Sequence, residues 1–352
     1  MAKEKVIVAV DLGNGYTKVV ASLKNNKVKF VMPSGFLYKS RVATDDFGIG
    51  NDLNNEYFVI SSNNPNPTVY LWDDKVNKSS EFESLIGGEN RYESIEYQMF
   101  FSMVLSEVAN RLGVDGNNID FYVITGVPSD QKGSELENKL KQAVLNSPTI
   151  SAKGKEFSPS VAEVEVVAQP IGTVFNELLD DEGIPYDEEE FEEHTIATID
   201  IGTGTTDGEV IKDRKSLLNQ RFTEDVGMFD VYDNVVDCIR KDTGSAVPFA
   251  NVELQFDKDD FKISKRKYVP IKEAKEKSIQ ETFDIIRKTM NTKWRNQSRF
   301  DRIILTGGGA SIFYPLFKEA GYDVEMSKNN QLANAEGFYK LGLLVFEDEE
   351  EE

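Results

Sequence analysis

The chain has 352 residues, 39% of them hydrophobic and 11% aromatic: apolar material for packed interiors, in a length that points to two domains. Lys and Arg total 40 against 61 Asp and Glu, and the resulting charge of −21 repels nucleic-acid phosphate, so direct DNA binding is not expected. A single cysteine, Cys238, excludes an internal disulfide, and a single histidine, His194, beside an acidic run, sets aside a multi-histidine zinc site and a Ser–His–Asp triad.

From the N-terminus, the apolar run Val6–Val10 between Glu4 and Asp11 reads as a strand and lacks the form of a signal peptide. No window approaches the roughly 20 apolar residues that span a bilayer, so a cytoplasmic protein without a membrane partner is expected. Strands are expected over 5–12, 16–23 and 27–32, with Gly13 and Gly15 supplying the tight first turn. Helical periodicity covers 92–111 and stops near Gly113; a strand at 119–125, a helix near 131–145 and a strand at 161–167 follow. Pro170 opens a helix running to about Leu179. The acidic stretch Asp180–Glu193 reads as a surface excursion.

In the second half, strands are expected near 195–201, 206–212 and 217–223, with helices near 227–241 and 271–293. Cys238 falls on the first of these helices as a small apolar residue. A strand at 301–306 ends in three glycines, and helices near 310–320 and 331–344 close the pattern. Residues 34–90 and 244–269 suit accessory subdomains. The tail, 345–352, is an acidic, solvated end.

The chain repeats itself. Val8-Ala9-Val10-Asp11-Leu12-Gly13-Asn14-Gly15-Tyr16-Thr17-Lys18 returns as Ala197-Thr198-Ile199-Asp200-Ile201-Gly202-Thr203-Gly204-Thr205-Thr206-Asp207. Further along each half, Phe121–Pro128 matches Arg302–Gly309, both apolar strands ending in Thr-Gly. One Asp-x-Gly-x-Gly turn is often an ordinary hairpin, but two motifs recurring in the same order indicate duplicated architecture. Such a turn aims backbone N–H groups and hydroxyls at one point, as a phosphate cradle requires. Candidate phosphate contacts are therefore Gly13, Asn14, Gly15, Tyr16, Thr17 and Lys18 in one half. Gly202, Thr203, Gly204, Thr205, Thr206 and Asp207 are their counterparts. Carboxylates at Asp11, Asp200 and Asp207 beside phosphate call for a divalent cation; Mg²⁺, held through water by Asp11 and Asp200, fits. Lys18 would offset phosphate charge. Gly307, Gly308, Gly309 and Ala310 leave room for a purine and ribose at a helix start. No P-loop is present.

These motifs, in this order from Val6 to about Leu344, resemble the actin–Hsp70–sugar-kinase superfamily. The first hairpin and the Pro33-Ser34 pair most resemble ParM-type plasmid-segregation actins. The resemblance implies an α/β fold of duplicated, ribonuclease-H-like halves, lobe I over 1–168 and lobe II over 169–344, with a nucleotide cleft between them. It implies binding of ATP (or GTP) with Mg²⁺, hydrolysis, polymerisation of the chain with itself, and capture by a small DNA-binding adaptor. Gln169-Pro170-Ile171-Gly172-Thr173 and Ala333-Asn334-Ala335-Glu336-Gly337 stand where the family's two connecting helices fall. Gln169 matches the residue that orients the attacking water, with Glu165 as the alternative, and Asp11 and Asp200 complete the catalytic set. Gly227, with Met228 and Asp230, matches the ribose side; Lys275 and Glu276 would either flank the adenine or form surface salt bridges. A sugar-type kinase or another bacterial actin is the rival reading. An Hsp70-type chaperone would need a further domain, and a membrane-bound actin an amphipathic terminal helix.

Overall fold

The apolar run Val6–Val10 is buried throughout because it lies at the centre of a five-stranded sheet. A strand covered on both sides has no polar face, so its sequence lacks period-two alternation. The computed structural model describes residues 3–42, 55–61, 64, 66–85, 90–244 and 247–347. They form two compact units: one runs to Tyr186 and resumes at Asn334, and the other holds Asp187–Ala333 with Asn77–Ser80.

In unit 1, β1 (Glu4–Leu12), β2 (Tyr16–Leu23) and β3 (Asn26–Pro33) precede short strands β4 (Gly35–Tyr38), β5 (Glu56–Val59), β6 (Tyr70–Leu71) and β7 (Glu83–Ser84). Then come α1 (Ile95–Leu112), β8 (Ile119–Val127), α2 (Glu135–Leu145), β9 (Ile150–Ala152), β10 (Lys155–Phe157), β11 (Val161–Ala168) and α3 (Gln169–Leu178). The main sheet has the order β11-β8-β1-β2-β3, with β1 antiparallel to β2 and parallel to β8. Helix α1 starts later than 92 because Ser94 is its cap, accepting from the Tyr97 N–H, and it ends at Gly113 with φ 73°. Helix α2 likewise waits for its cap, Ser134. The accessory segment within 34–90 forms a second sheet, β10-β9-β5-β6-β4-β7, that draws in residues 150–157, which carried no expectation. Trp72 against Phe100, with centroids 5.1 Å apart, ties this sheet to α1 in one continuous core.

Unit 2 contains α4 (Glu188–Glu193), β12 (Thr195–Ile201), β13 (Thr206–Lys212), β14 (Lys215–Ser216), β15 (Phe222–Glu224), α5 (Met228–Thr243) and α6 (Phe249–Glu253). It continues through β16 (Asp260–Ser264), β17 (Lys267–Pro270), α7 (Lys272–Lys293), β18 (Arg302–Thr306), α8 (Ala310–Glu319) and β19 (Glu325–Met326). Its sheet, β14-β13-β12-β18-β19 with β15 also on β13, repeats the plan of unit 1: an antiparallel hairpin, then parallel strands on the far side of its first strand. The strand expected over 217–223 is broken into β14 and β15 by a turn at Leu218–Gln220. There the buried Gln220 gives its carbonyl to Trp294 Nε1 at 2.7 Å. The acidic excursion is also more ordered than expected. Asp187 caps α4 by accepting from Glu190 N–H at 3.0 Å, and three glutamates occupy the first turn, where the helix dipole favours them.

The last helix, α9 (Ala333–Glu347), belongs with unit 1 from Asn334 onward. Its Ala335, Phe338, Tyr339, Leu343 and Phe346 pack against Ile7, Ala9, Ile124 and Val167. Helix α3 lies in the same unit, so the compact division falls after Tyr186 and before Asn334 instead of at 168/169: apolar packing outweighs position in the chain. Of the expected tail, 348–352 lie outside the described residues, as do 43–54, 62–63, 65, 86–89 and 245–246 of the accessory segments.

Lys340 on α9 is buried and donates to the carbonyls of Asn176 and Leu179, at 2.9 and 2.6 Å, closing the C-terminal end of α3. Lys340→Met keeps the stem and strands both carbonyls. A loss on the order of 2 kcal/mol is expected, read as a lower thermal midpoint by calorimetry. An unchanged midpoint would show that the cap contributes nothing.

Candidate functional site

Turn residues Leu12–Tyr16 are partly exposed between buried flanks, so the chain opens to solvent at the first glycine-rich turn. The Gly13 N–H donates to the Tyr16 carbonyl at 3.2 Å, which closes the turn. The Gly15 carbonyl accepts from Ser34 N–H at 3.0 Å, and the Asn14 carbonyl from Ser84 Oγ at 3.5 Å. Asp11 and Lys18 are directly paired across the hairpin, and Lys18 Nζ donates to Asp11 Oδ2 at 2.9 Å. The other carboxylate oxygen, Oδ1, accepts from Gln169 Nε2 at 3.2 Å. The structure thus gathers Asp11, Lys18 and Gln169 from three elements of unit 1, with Asp11 almost wholly buried. Pro170 within the first turn of α3 sets where that helix begins, and hence where Gln169 points. Gly126, at the end of β8, makes room: a Cβ there would sit 2.8 Å from Gln169 Cγ and 2.7 Å from Phe338 Cζ. Sequence reasoning missed Gly126 as a site residue, although the repeated Thr-Gly strand end contained it. Glu165 is half-buried on β11 and pairs with Ile124, so Gln169 is the side chain that meets Asp11.

Unit 2 builds the second turn on the same lines, the Gly202 N–H donating to the Thr205 carbonyl at 2.9 Å. The residue across from Asp200 is Asp207, so a like-charged pair stands where unit 1 has Asp11 and Lys18. Asp207 accepts from Thr205 Oγ1 at 3.1 Å and from Thr223 Oγ1 at 2.5 Å. Thr223 had no signal in the sequence; it arrives because β15 pairs with β13 at that position. The turn residues Gly202, Thr203, Gly204 and Thr205 are partly exposed.

Two candidate contacts need correction. Thr17 and Thr206 are fully buried: Thr17 Oγ1 shares a hydrogen bond with Ser34 Oγ at 2.9 Å, and Thr206 Oγ1 donates to the Val226 carbonyl at 2.9 Å. Strand alternation turns these hydroxyls into the protein, away from any ligand. Gly227 also has a structural task. Its Cβ position lies 2.7 Å from the carbonyl oxygens of both Gly202 and Thr203. Those carbonyls accept from Met228 and Phe229 N–H at 3.1 and 2.7 Å, so the start of α5 clamps the turn, while Asp230 accepts from Gly227 N–H at 2.8 Å.

At the end of β18, Gly307 has φ 87°, and a Cβ there would meet Asp200 Oδ1 at 2.3 Å. The Gly309 N–H donates to the Ile201 carbonyl at 2.9 Å, and Ala310 begins α8. The Cβ position of Gly308 looks onto open space, as a backbone that admits a flat ligand requires. Lys275 is tied away, donating to the carbonyls of Phe256 and Lys258, whereas Glu276 lines a surface groove between α5 and α7.

Cys238 is half-buried on α5, and burial, aided by the Asp242 carboxylate, pushes its thiol up, the opposite of an activated nucleophile. His194 follows α4 beside Glu190. Among the described residues, no group of three or more His, Cys, Asp or Glu could by itself hold a metal. Few carboxylates close to a phosphate cradle suit Mg²⁺, which keeps waters and phosphate oxygens as its other ligands, and each unit has one such carboxylate just before its turn, Asp11 in the first and Asp200 in the second.

Two halves of one design, each an Asp-bearing glycine turn followed by a strand ending in Thr-Gly, define an actin-like fold. The family described as "Actin like proteins N terminal domain" matches residues 9–172, and "Archaeal actin homologue MreB-like, C-terminal" matches 198–319. An archaeal actin homolog of Thermoplasma volcanium is 23% identical over 340 residues, covering 95% of this chain and 97% of its own. The crystal structure of the apo psk41 ParM protein superposes with a TM-score of 0.71 at 22% identity, over 98% of this chain and 99% of that one. A 15-stranded ParM filament from Clostridium botulinum gives 0.71 at 21% identity, covering 97% and 100%. An archaeal actin homolog in complex with ADP gives 0.69 at 19%, covering 96% and 98%. Between them the two family models match most of the chain, which is an actin-like protein with the fold seen in ParM.

Proposed function

We propose that this protein is an ATP-hydrolysing, filament-forming actin of the ParM type, acting in the cytoplasm to segregate plasmid DNA through a small DNA-binding adaptor. The observation that carries the reading is the constellation of Asp11, Lys18 and Gln169 at the first glycine turn, with Asp200 and Asp207 at the second. The known filament of a ParM relative and the ADP complex of an archaeal actin homolog support assembly and nucleotide binding. Charge supports the adaptor: a chain at −21 needs a basic intermediary to engage DNA. Among the described residues, no helix is long and apolar enough to cross a membrane.

In this reading Lys18 and the turn N–H groups receive phosphate oxygens, and the Gly307–Gly309 turn admits the base and ribose. Asp11 and Asp200 would hold Mg²⁺ through water, and the ion would supply charge neutralisation at the phosphates. Gln169 cannot act as a strong base. It orients water for in-line attack, and phosphoryl transfer depends more on such positioning than on proton abstraction. GTP in place of ATP is the alternative nucleotide.

Light scattering and phosphate release with ATP, GTP, ADP or no nucleotide test the whole reading. Assembly with the triphosphate, followed by phosphate release, is expected; phosphate transfer to a sugar without assembly would favour a kinase. Gln169→Ala is expected to slow phosphate release about a hundredfold while ATP still drives assembly. Wild-type turnover in that variant would remove Gln169 from its role.

A further inference from the structure

Within unit 1, helix α1 and strand β3 meet the accessory sheet around an open cavity of about 340 Å³, which none of the glycine-turn residues lines. That volume lies at the small end of the range for ligand pockets, roughly 300–1,000 Å³. Main-chain bonds fix its walls: the Trp72 N–H donates to the Asn55 carbonyl at 3.2 Å, and the Lys153 N–H to the Glu56 carbonyl at 2.9 Å. The Trp72 ring is anchored as well, its Nε1 donating to the Pro33 carbonyl at 3.0 Å.

Two groups of opposite charge line the cavity. In the first, Glu107 on α1, 8% exposed, accepts from Arg111 Nε at 2.7 Å and from Lys153 Nζ at 2.9 Å. One carboxylate between two cations leaves a net positive charge. The Arg111 guanidinium is held over the Phe30 ring, 4.4 Å from its centroid, and its terminal nitrogens have no protein partner among the described residues. In the second group, Asp73, 7% exposed, gives Oδ1 to the Lys75 N–H at 2.7 Å, and its other oxygen has no partner among the described residues. The same holds for the exposed Asp74 carboxylate and for the hydroxyl of Tyr57, a residue only 1% exposed. Burial, with the Glu107 and Asp73 carboxylates close by, pushes the Tyr57 phenol well up, so it keeps its proton. Buried polar groups are nearly always satisfied, and these two oxygens can be satisfied only from inside the cavity.

We propose that this cavity binds a small zwitterion, its ammonium end on Asp73, Asp74 and the Tyr57 hydroxyl, and its carboxylate or phosphate end on Arg111 and Lys153. A simple anion would be repelled by Asp73 and Asp74, and a simple cation by the excess charge of the Arg111–Glu107–Lys153 group. Only a molecule with both charges is matched at both ends. Such a ligand touches α1 as well as the accessory sheet, so its binding should stabilise unit 1.

Calorimetric titration of the full-length protein with phosphoethanolamine and with 4-aminobutyrate tests the proposal, with ethylammonium, acetate and inorganic phosphate as the separate halves. At least one zwitterion is expected to bind about tenfold or more tighter than either of its halves and to raise the thermal midpoint. Which of the two binds tighter assigns the anionic end as phosphate or carboxylate. Asp73→Asn and Tyr57→Phe keep the side-chain shape, and each is expected to weaken that binding about tenfold while the midpoint without ligand stays near wild type. Asp74→Asn, at an exposed position, should weaken it as well and serves if either buried change disturbs the fold. Failure of both zwitterions to bind would overturn the proposal and leave the cavity to water. Equally tight binding of one half alone would overturn it in favour of a plain ion site. Wild-type affinity in all three variants would place the binding elsewhere, as at the glycine-rich turns, and would overturn it too.

Discussion

Asp200→Asn is expected to cut phosphate release by about a hundredfold or more and yet leave the nucleotide-free protein at least as stable as wild type. The first half of this expectation follows from the role proposed for the carboxylate beside Mg²⁺. The second follows from its surroundings. Asp200 and Asp207 are direct cross-strand partners, both nearly buried, and like charges so placed destabilise a sheet by roughly 0.2–1 kcal/mol. Asparagine keeps the volume beside Gly307, so no cavity opens, and one charge is removed from the pair. The two effects should therefore separate. Calorimetry without nucleotide should show an equal or higher midpoint, and the further rise that wild type gains on adding Mg-ATP should shrink. A lower midpoint in the apo variant would assign Asp200 a structural role, and undiminished turnover would remove it from catalysis.

Gly337→Val should be the most destabilising single change in unit 1. A Cβ at Gly337 would lie 1.6 Å from the Gly172 carbonyl oxygen, and one at Gly172 would lie 2.5 Å from the Asn334 carbonyl oxygen. The backbones of α3 and α9 touch at these two glycines. In a helix interior Val is better than Gly by only about a few tenths of a kcal/mol, a gain that is small against parting two packed helices. A net loss of about 3 kcal/mol or more is expected, with Gln169 at the head of α3 displaced as well. Gly342→Ala is the contrast on the same helix. Its Cβ would meet only side-chain carbons of Ile7 and Ile124, at 3.0 and 3.2 Å, and these can shift. Guanidinium melts of the two variants should thus diverge widely; equal costs would show that the Gly172–Gly337 approach relaxes freely.

Much of this protein can be read before any coordinate is known. The repeated Asp-x-Gly-x-Gly turns announce two halves of one plan, and the apolar runs locate β1 and β12, which lead into those turns, and β8 and β18, with their Thr-Gly ends. Such features are local: turn chemistry, capping and hydrophobic continuity act over a few residues. Side-chain direction is less legible. Thr17 and Thr206 look like phosphate ligands beside their glycines, but hydrogen bonds to Ser34 and Val226, fixed by strand pairing, turn both inward.

By itself, the sequence determined the duplication, the strand–turn–strand motifs, the acidic surface and the placement of Gln169 at a helix start under Pro170. Only the tertiary structure decided that Gln169 meets Asp11, that Thr223 reaches Asp207, and that α3 and α9 pack in one unit through Gly172 and Gly337. The reason is physical. Each of these contacts joins residues on different elements, and no local spacing rule records which elements burial of apolar surface will bring together.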